Sequence, residues 1–551
     1  MAIGAKTLIF WGAGATATVG LRTTLQQAAA ITKLTRMPRS CAQRCEDALP
    51  QAGKYIAPLS DLLTVLGDET QDIHYISPVA REAMGRHWHD PSPDALNLRI
   101  HDLRSKYDWP ALKEILTICP GYDVDELRVQ DVFNVIDLHA QTYHGFPVTK
   151  RFLAAGRLVA ARRVLQLILN TLFFVDWQTA LTSKVGELNK HLAFARLLTE
   201  HHQQEGLRLA ATLEHFDHRD FYLGDISFAS LNYDPVALWS QFVANRDGNA
   251  NPPFIGAPRV PLKIFHDFGI FMAVSTIDPK TGAREQKERV WYPLNEASAQ
   301  RLNDREHLSR RVRINRFLFP HGCLCWRECP SCGKLSAYMG KNWEFFSRTL
   351  IPPPPLRGFM ELSGGNLEQE SDRERVAWDR GEVDARDCVH CGELTFAEHT
   401  QAVMQSNFKM SPPSFIEEVQ RDLRVATQAA EHIVLMGYSL PMDDVVYRAF
   451  LAARRQRRYT DSGNGPVQCS VVVGTDHGDR WHRPDEIDEL LRHIDNSAQC
   501  EGPFSTLKAA RAIFGSENVR FYGGGIPQVF CEGDQPSSKR FAQLVNWSVS
   551  R

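Results

Sequence analysis

The stretch "TLIFWGAGATATVG", Thr7 to Gly20, decides how this chain is read. A secretion signal needs an apolar core of about 7 to 15 residues behind a basic start. Here the run Leu8 to Trp11 is broken by Gly12 after four residues. A buried parallel strand, by contrast, reads as a brief continuous apolar run. Gly12, Gly14 and Gly20 then fall where a strand-to-helix turn would let backbone amides approach an anion. The spacing departs from the G-x-G-x-x-G dinucleotide fingerprint, and glycines also make plain tight turns. Taken alone, the stretch leaves a phosphate loop and an ordinary turn both open.

Composition narrows the class. A chain of 551 residues holds two to four domain-sized units. With 63 basic against 65 acidic residues, nothing points to a nucleic-acid-coating or polybasic membrane-binding protein, so neither partner is expected. The longest apolar window, "VLQLILNTLFFV" at Val164 to Val175, falls short of the roughly 20 residues of a membrane span and reads as a buried helix. Twelve cysteines without an export signal suggest a reducing cytoplasm, where thiols bind metal or sit buried.

The organisation expected is α/β. Strand-like runs occur at Thr7 to Trp11, Ile226 to Leu231, Leu262 to Phe265, Ile433 to Met436, Ser470 to Val473 and Val519 to Tyr522. Ligand sites in open α/β sheets form beyond the carboxyl ends of the strands, so chemistry is expected in the loops "GAGAT", "NYD", "HDFG", "GYSL" and "GTD". Asp90 to Glu214 carries helical patterns and almost no strand signal, as an inserted helical module would. The segment "IPPPPLRGFMELSGGNLEQESDRER" reads as an extended, partly mobile excursion.

"CWRECPSCGK" and "ARDCVHCGE" supply Cys329, Cys332, Cys388 and Cys391. Four thiolates in two Cys-x-x-Cys knuckles can close a tetrahedral zinc site, structural because no position is left for a water nucleophile. Unrelated buried cysteines are the alternative, and Cys323 and Cys325 compete as ligands. Asn232 and Asp234 follow a strand, where Asx side chains commonly bond local backbone. His266 sits at a strand end, as a base or as a packed histidine. Ser439 reads as a helix cap, since "GYSLP" lacks the second glycine of a nucleophile elbow.

The order of these motifs resembles the sirtuin family: Gly-Ala-Gly-Ala-Thr, Asn-x-Asp, a strand-end histidine, two Cys-x-x-Cys pairs, then Gly-x-Ser-Leu. Within it, the chain is most similar to the bacterial sirtuin-like proteins that consume NAD in antiphage defence. "RVQDVFNVIDLHAQ", Arg128 to Gln141, loosely resembles a helix of those proteins. The resemblance implies a Rossmann-type parallel sheet binding NAD+, with a large helical insertion and a zinc-ribbon subdomain. The expected division is 1–89, 221–310 and 399–551 for the Rossmann domain, 90–220 for the insertion and 311–398 for the ribbon. The opening loop then becomes a phosphate loop.

Carried over by position, the resemblance implies that Gly12, Ala13, Gly14 and Thr16 face the pyrophosphate. Asn232 would hold the nicotinamide-side ribose and a water, Asp234 the carboxamide, and His266 would be the base. Gly437 and Ser439 would contact phosphate and ribose, and Gly474, Thr475 and Asp476 the adenosine end. Of the usual Gly-Ile-Pro-x-Phe-Arg segment, "GLRTTL" keeps Arg22 as a cofactor contact but neither proline nor phenylalanine. The family's His-Gly is matched with "HDFG", two residues intervening before Gly269, and the adenosine loop lacks its usual asparagine.

Cleaving the N-glycosidic bond of NAD+ builds oxocarbenium character that a positioned amide can stabilise. If water captures the ribose, with His266 as base, the enzyme is an NAD+ glycohydrolase; if an acetyl-lysine oxygen does, it is a deacylase. The divergent "HDFG" loop and the large insertion favour hydrolysis, in keeping with an NAD-depleting defence effector. A non-catalytic module sensing NAD or ADP-ribose is the third reading. Restraint of such an enzyme implies self-association or an operon-encoded protein partner.

Overall fold

Leu8, Ile9, Phe10 and Trp11 are all buried, as a strand with neighbours on both edges and cover on both faces must be. The computed structural model describes residues 6–36, 39–142, 144–148, 151–212, 225–250, 263–267, 271–277, 284–291, 311–328, 335–337, 351–363, 385–387, 394–396, 400–402, 414–441, 444–456, 466–475, 478–495 and 503–550. They form two compact units. One comprises Met1–Val19, Lys184–Gly322 and Pro413–Arg551, the other Gly20–Ser183 and Cys323–Pro412.

The first unit is an α/β domain. Its main-sheet strands, numbered in chain order, are β1 (Thr7–Trp11), β2 (Ile226–Ser230), β3 (Lys263–Asp267), β4 (Arg311–Leu318), β5 (His432–Met436), β6 (Gln468–Val472), β7 (Trp481–His482) and β8 (Val519–Tyr522). Their order across the sheet is β7-β8-β6-β5-β1-β2-β4-β3, parallel except for the short edge strand β7. In β1, Ile9 lies opposite Val434 on one side and Phe228 on the other. Side chains alternate between faces along a strand. Leu8 and Phe10 join a core with Val419, Leu423, Leu451 and Leu507, while Trp11 meets Phe194 and Phe228 with ring centroids 5.5 Å from each.

Two corrections concern this sheet. "RVRINRFL", Arg311 to Leu318, was expected in the ribbon, but it is β4, with Phe317 stacked on Phe228 at 4.3 Å. Arg311, Arg313 and Arg316 conceal it from a search for unbroken apolar runs. The helix Val185–Thr212 was expected in the insertion and belongs to the sheet unit, because Phe194 packs on Trp11 and His191 reaches Thr18.

The second unit is mainly helical. The chain enters it after Val19 and leaves it at Lys184, so most of 20–89, expected in the Rossmann domain, is helical here: Thr24–Thr35, Cys41–Ala48, Ile56–Val65 and Pro78–Gly85. The starts are encoded locally. Thr23 with Gln26 and Ser40 with Gln43 make capping boxes, and Ser77 caps a helix that opens with Pro78. Asp68 ties several helices together, pairing with buried Arg44 and accepting from Trp109 Nε1 at 2.8 Å. The apolar window belongs to a 29-residue helix, Ala155–Ser183, long and apolar enough to cross a bilayer, yet 78% of its most apolar stretch is buried inside the fold.

Part of the proline-rich excursion is docked in this unit rather than mobile. Ile351, Leu356 and Phe359 are buried, and Asn170 Nδ2 donates to Pro352 O at 2.9 Å. Phe359 closes an aromatic cluster with Tyr55 and Phe174, at centroid distances of 6.4 and 6.0 Å. Helices and excursion therefore share one core, where two separate modules were expected.

Candidate functional site

The strand order places outward growth of the sheet on both sides of β1: β2, β4 and β3 one way, β5, β6 and β8 the other. The reversal point lies between β1 and β5, and ligands of open α/β sheets bind beyond the carboxyl ends of strands at such a point. The loops meeting there carry Gly12, Gly14 and Gly437, and they touch backbone to backbone. Gly12 N–H donates to Met436 O and Gly14 N–H to Gly437 O, each at 2.9 Å. A Cβ on Gly12 would sit 2.5 Å from Gly437 O, and one on Gly437 would sit 2.2 Å from Ala15 N. Gly437 is also left-handed, with φ of 60°. This close packing alone requires the glycines, and it directs the Gly12 and Gly14 amides at protein carbonyls.

Beside this loop, residues more than 200 positions apart form one buried cluster. Asn232 Nδ2 donates to Gly12 O at 3.0 Å and to Thr16 Oγ1 at 3.1 Å. Thr16 Oγ1 in turn donates to Asp234 Oδ2 at 3.0 Å, and Val236 N–H donates to Asp234 Oδ1 at 3.1 Å. Thr16, Asn232 and Asp234 are 2, 5 and 2% exposed. The Gly12 carbonyl can only accept, which fixes the amide orientation and leaves Asn232 Oδ1 as the atom this side chain can offer a ligand. Burial pushes the Asp234 carboxyl up to about 6, and the bonds from Val236 and Thr16 oppose that rise. Asp234 thus makes both the local Asx turn and a long-range contact.

The histidine next to this cluster is His321, which the sequence reading passed over. It follows β4, is fully buried, and pairs its Nδ1 with Leu231 O at 3.1 Å. A carbonyl only accepts, so Nδ1 carries the proton and Nε2 is the basic nitrogen. The Tyr233 ring stacks on it at 5.9 Å and Tyr447 meets it edge-on at 5.1 Å. The signal was in the sequence: His321–Gly322 is an uninterrupted His-Gly, which "HDFG" is not.

His266 lies elsewhere in the sheet. It lies in β3 opposite a bulge of β4, between Phe265 opposite Arg313 and Asp267 opposite Arg316, while Leu318 lies opposite Ala229. Counting residues along β4, His266 is level with a point about 20 Å short of Asn232, at roughly 3.3 Å per residue, with a strand between.

The other expected contacts are distributed as follows. Ala13 is half-buried and Ser439 exposed, the latter's carbonyl accepting from Thr506 Oγ1 at 3.2 Å. Gly474 bridges to Gly524, and Thr475 N–H donates to Gly523 O at 2.7 Å, so this loop is tied to the end of β8. Arg22, in the helical unit, is paired with Asp176 through its guanidinium and its backbone N–H. Cys329, Cys332, Cys388 and Cys391 lie outside the described residues, as do Gly269 and Asp476. Among the described residues, no group of three or more His, Cys, Asp or Glu side chains is placed to hold a metal ion. No protein-family model matches this chain, and no curated protein matches its sequence.

Proposed function

We propose that this protein cleaves NAD+ at its N-glycosidic bond with water as acceptor, releasing nicotinamide, ADP-ribose and a proton. The observation that carries the reading is the convergence of Thr16, Asn232 and Asp234 in one buried cluster, beside His321 and near the reversal point of a parallel sheet. Asn232 Oδ1 would orient the ribose and the attacking water, Asp234 would hold the carboxamide, and His321 takes the role of base first given to His266. A positioned acceptor and a nearby imidazole, held through Nδ1 by Leu231 O, suit a reaction whose barrier lies in a developing oxocarbenium ion. Cys329, Cys332, Cys388 and Cys391 would hold a structural zinc ion. NAD+ depletion in antiphage defence, with an oligomer or a protein partner as restraint, belongs to the same proposal.

Protein-lysine deacylation is the second reading, favoured by the uninterrupted His321–Gly322. Hydrolysis ranks above it because His321 is fully buried between two tyrosine rings, surroundings that admit water more readily than a peptide side chain. Assay of free nicotinamide with and without an acetylated peptide separates the two. Release independent of peptide is expected; release only with peptide would establish the deacylase, and NAD+ binding without release a sensor.

A further inference from the structure

The ring of His321 is constrained from several directions. Its Nδ1–H donates to Leu231 O, Tyr233 stacks on it with the planes 27° apart, and Tyr447 approaches edge-on at 63°. The turn beneath it is held by Gln420 Nε2, which donates to Pro320 O at 3.0 Å. Tyr447 is distinguished by the element that carries it. Its helix, Val445–Gln456, is preceded by Asp444, whose carbonyl accepts from Arg448 N–H at 3.0 Å and whose carboxylate accepts from Tyr438 Oη at 2.7 Å. Tyr438 directly follows Gly437, whose carbonyl accepts from Gly14 N–H. A continuous path of covalent and hydrogen bonds therefore runs from the loop after β1 to the ring packed against His321.

We propose that Tyr447 is a positioning residue, setting the plane of the His321 imidazole, and that the Tyr438–Asp444 bond links that setting to the paired glycine loops. The inference rests on the reading of His321 as base. An edge-to-face contact has a preferred geometry, and a proton acceptor turned away from its donor loses rate steeply. The contact is one between two rings, so phenylalanine should serve and an aliphatic residue should not.

The test uses the full chain labelled with 15N-histidine, comparing wild type, Tyr447→Phe, Tyr447→Leu and Tyr438→Phe, each checked by a melting curve. Tyr447→Leu should lower kcat for nicotinamide release about tenfold with KM for NAD+ within about twofold, and should turn the single Nδ1–H tautomer of His321 into a mixture. Tyr447→Phe should restore both readouts. Tyr438→Phe, remote from the histidine, should shift the His321 signal in the same direction. An unchanged tautomer and an unchanged kcat in folded Tyr447→Leu would overturn the proposal, as would an unmoved signal in Tyr438→Phe should the leucine variant fail to fold. If wild type released no nicotinamide, the functional reading would fall, while the tautomer comparison would still decide whether Tyr447 orients the ring.

Discussion

Asn232 has two amide protons, and both are engaged, one by Gly12 O and one by Thr16 Oγ1. Its contribution to a substrate must therefore come through Oδ1, and Asn232→Ala should reduce nicotinamide release by about a hundredfold to a thousandfold while NAD+ still binds. The two histidines give a direct comparison: His321→Ala should lose about 10² to 10⁴ in rate, whereas His266→Ala should retain near-normal specific activity per folded protein. The reverse pattern would move the base back to β3. Asp234 supplies a pH signature. Its folded carboxyl titrates near 6 against 3.8 for the ordinary group, so between those values the folded state binds more protons than the unfolded one. This residue's contribution to stability therefore rises as pH falls through 6 and is complete below about 4, amounting to about 3 kcal/mol. Activity that needs the carboxylate falls over the same interval. The difference in unfolding free energy between wild type and Asp234→Asn, measured from pH 7.5 to 4.5, should shift by about 2 kcal/mol in favour of wild type; a pH-independent difference would rule the shift out.

At the scale of elements, the contact between the loops after β1 and β5 leaves no room for a side chain. Gly437→Ala would place a methyl 2.2 Å from Ala15 N at a left-handed residue, so it should destabilise the sheet unit by about 1 to 3 kcal/mol or more. A melting temperature equal to wild type would mean the loops separate easily. In the helical unit the corresponding test is Phe359→Ala, which removes the ring shared by Tyr55 and Phe174 and should cost about 3 to 5 kcal/mol. An effect below about 1 kcal/mol would return the segment to the mobile excursion its prolines first suggested. Strands were legible where they contained continuous apolar runs, as in β1 and β5. β4 was not, because Arg311, Arg313, Asn315 and Arg316 interrupt its apolar residues, and register with β2 and β3 rather than composition puts it in the sheet.

For the whole molecule, the zinc proposal predicts one equivalent of metal per chain and a joint loss of metal and melting temperature in Cys391→Ser. Less than about half an equivalent in protein purified without chelator would end it. By itself the sequence determined the class of the sheet and the loops where a site could form, because strand runs, glycine turns and Asx residues are local signals; Thr16, Asn232 and Asp234 became candidates only through the order of the motifs and the resemblance it carries. Tertiary structure alone decided three further matters. It divided the chain at Val19 and Lys184, since Phe194 packs on Trp11 and the helix bearing it joins the sheet. It put residues 351–363 and the early helices into one core, which no local pattern encodes. It also placed His321, and not His266, beside Leu231 and Tyr233, which flank Asn232. His266 and His321 both sit in strand-like surroundings in sequence, but parallel register carries the turn just after β4 to the level of Asn232 and leaves His266 about 20 Å short of it, and hydrogen bonding between strands is set by pairing across the sheet, not by neighbours along the chain.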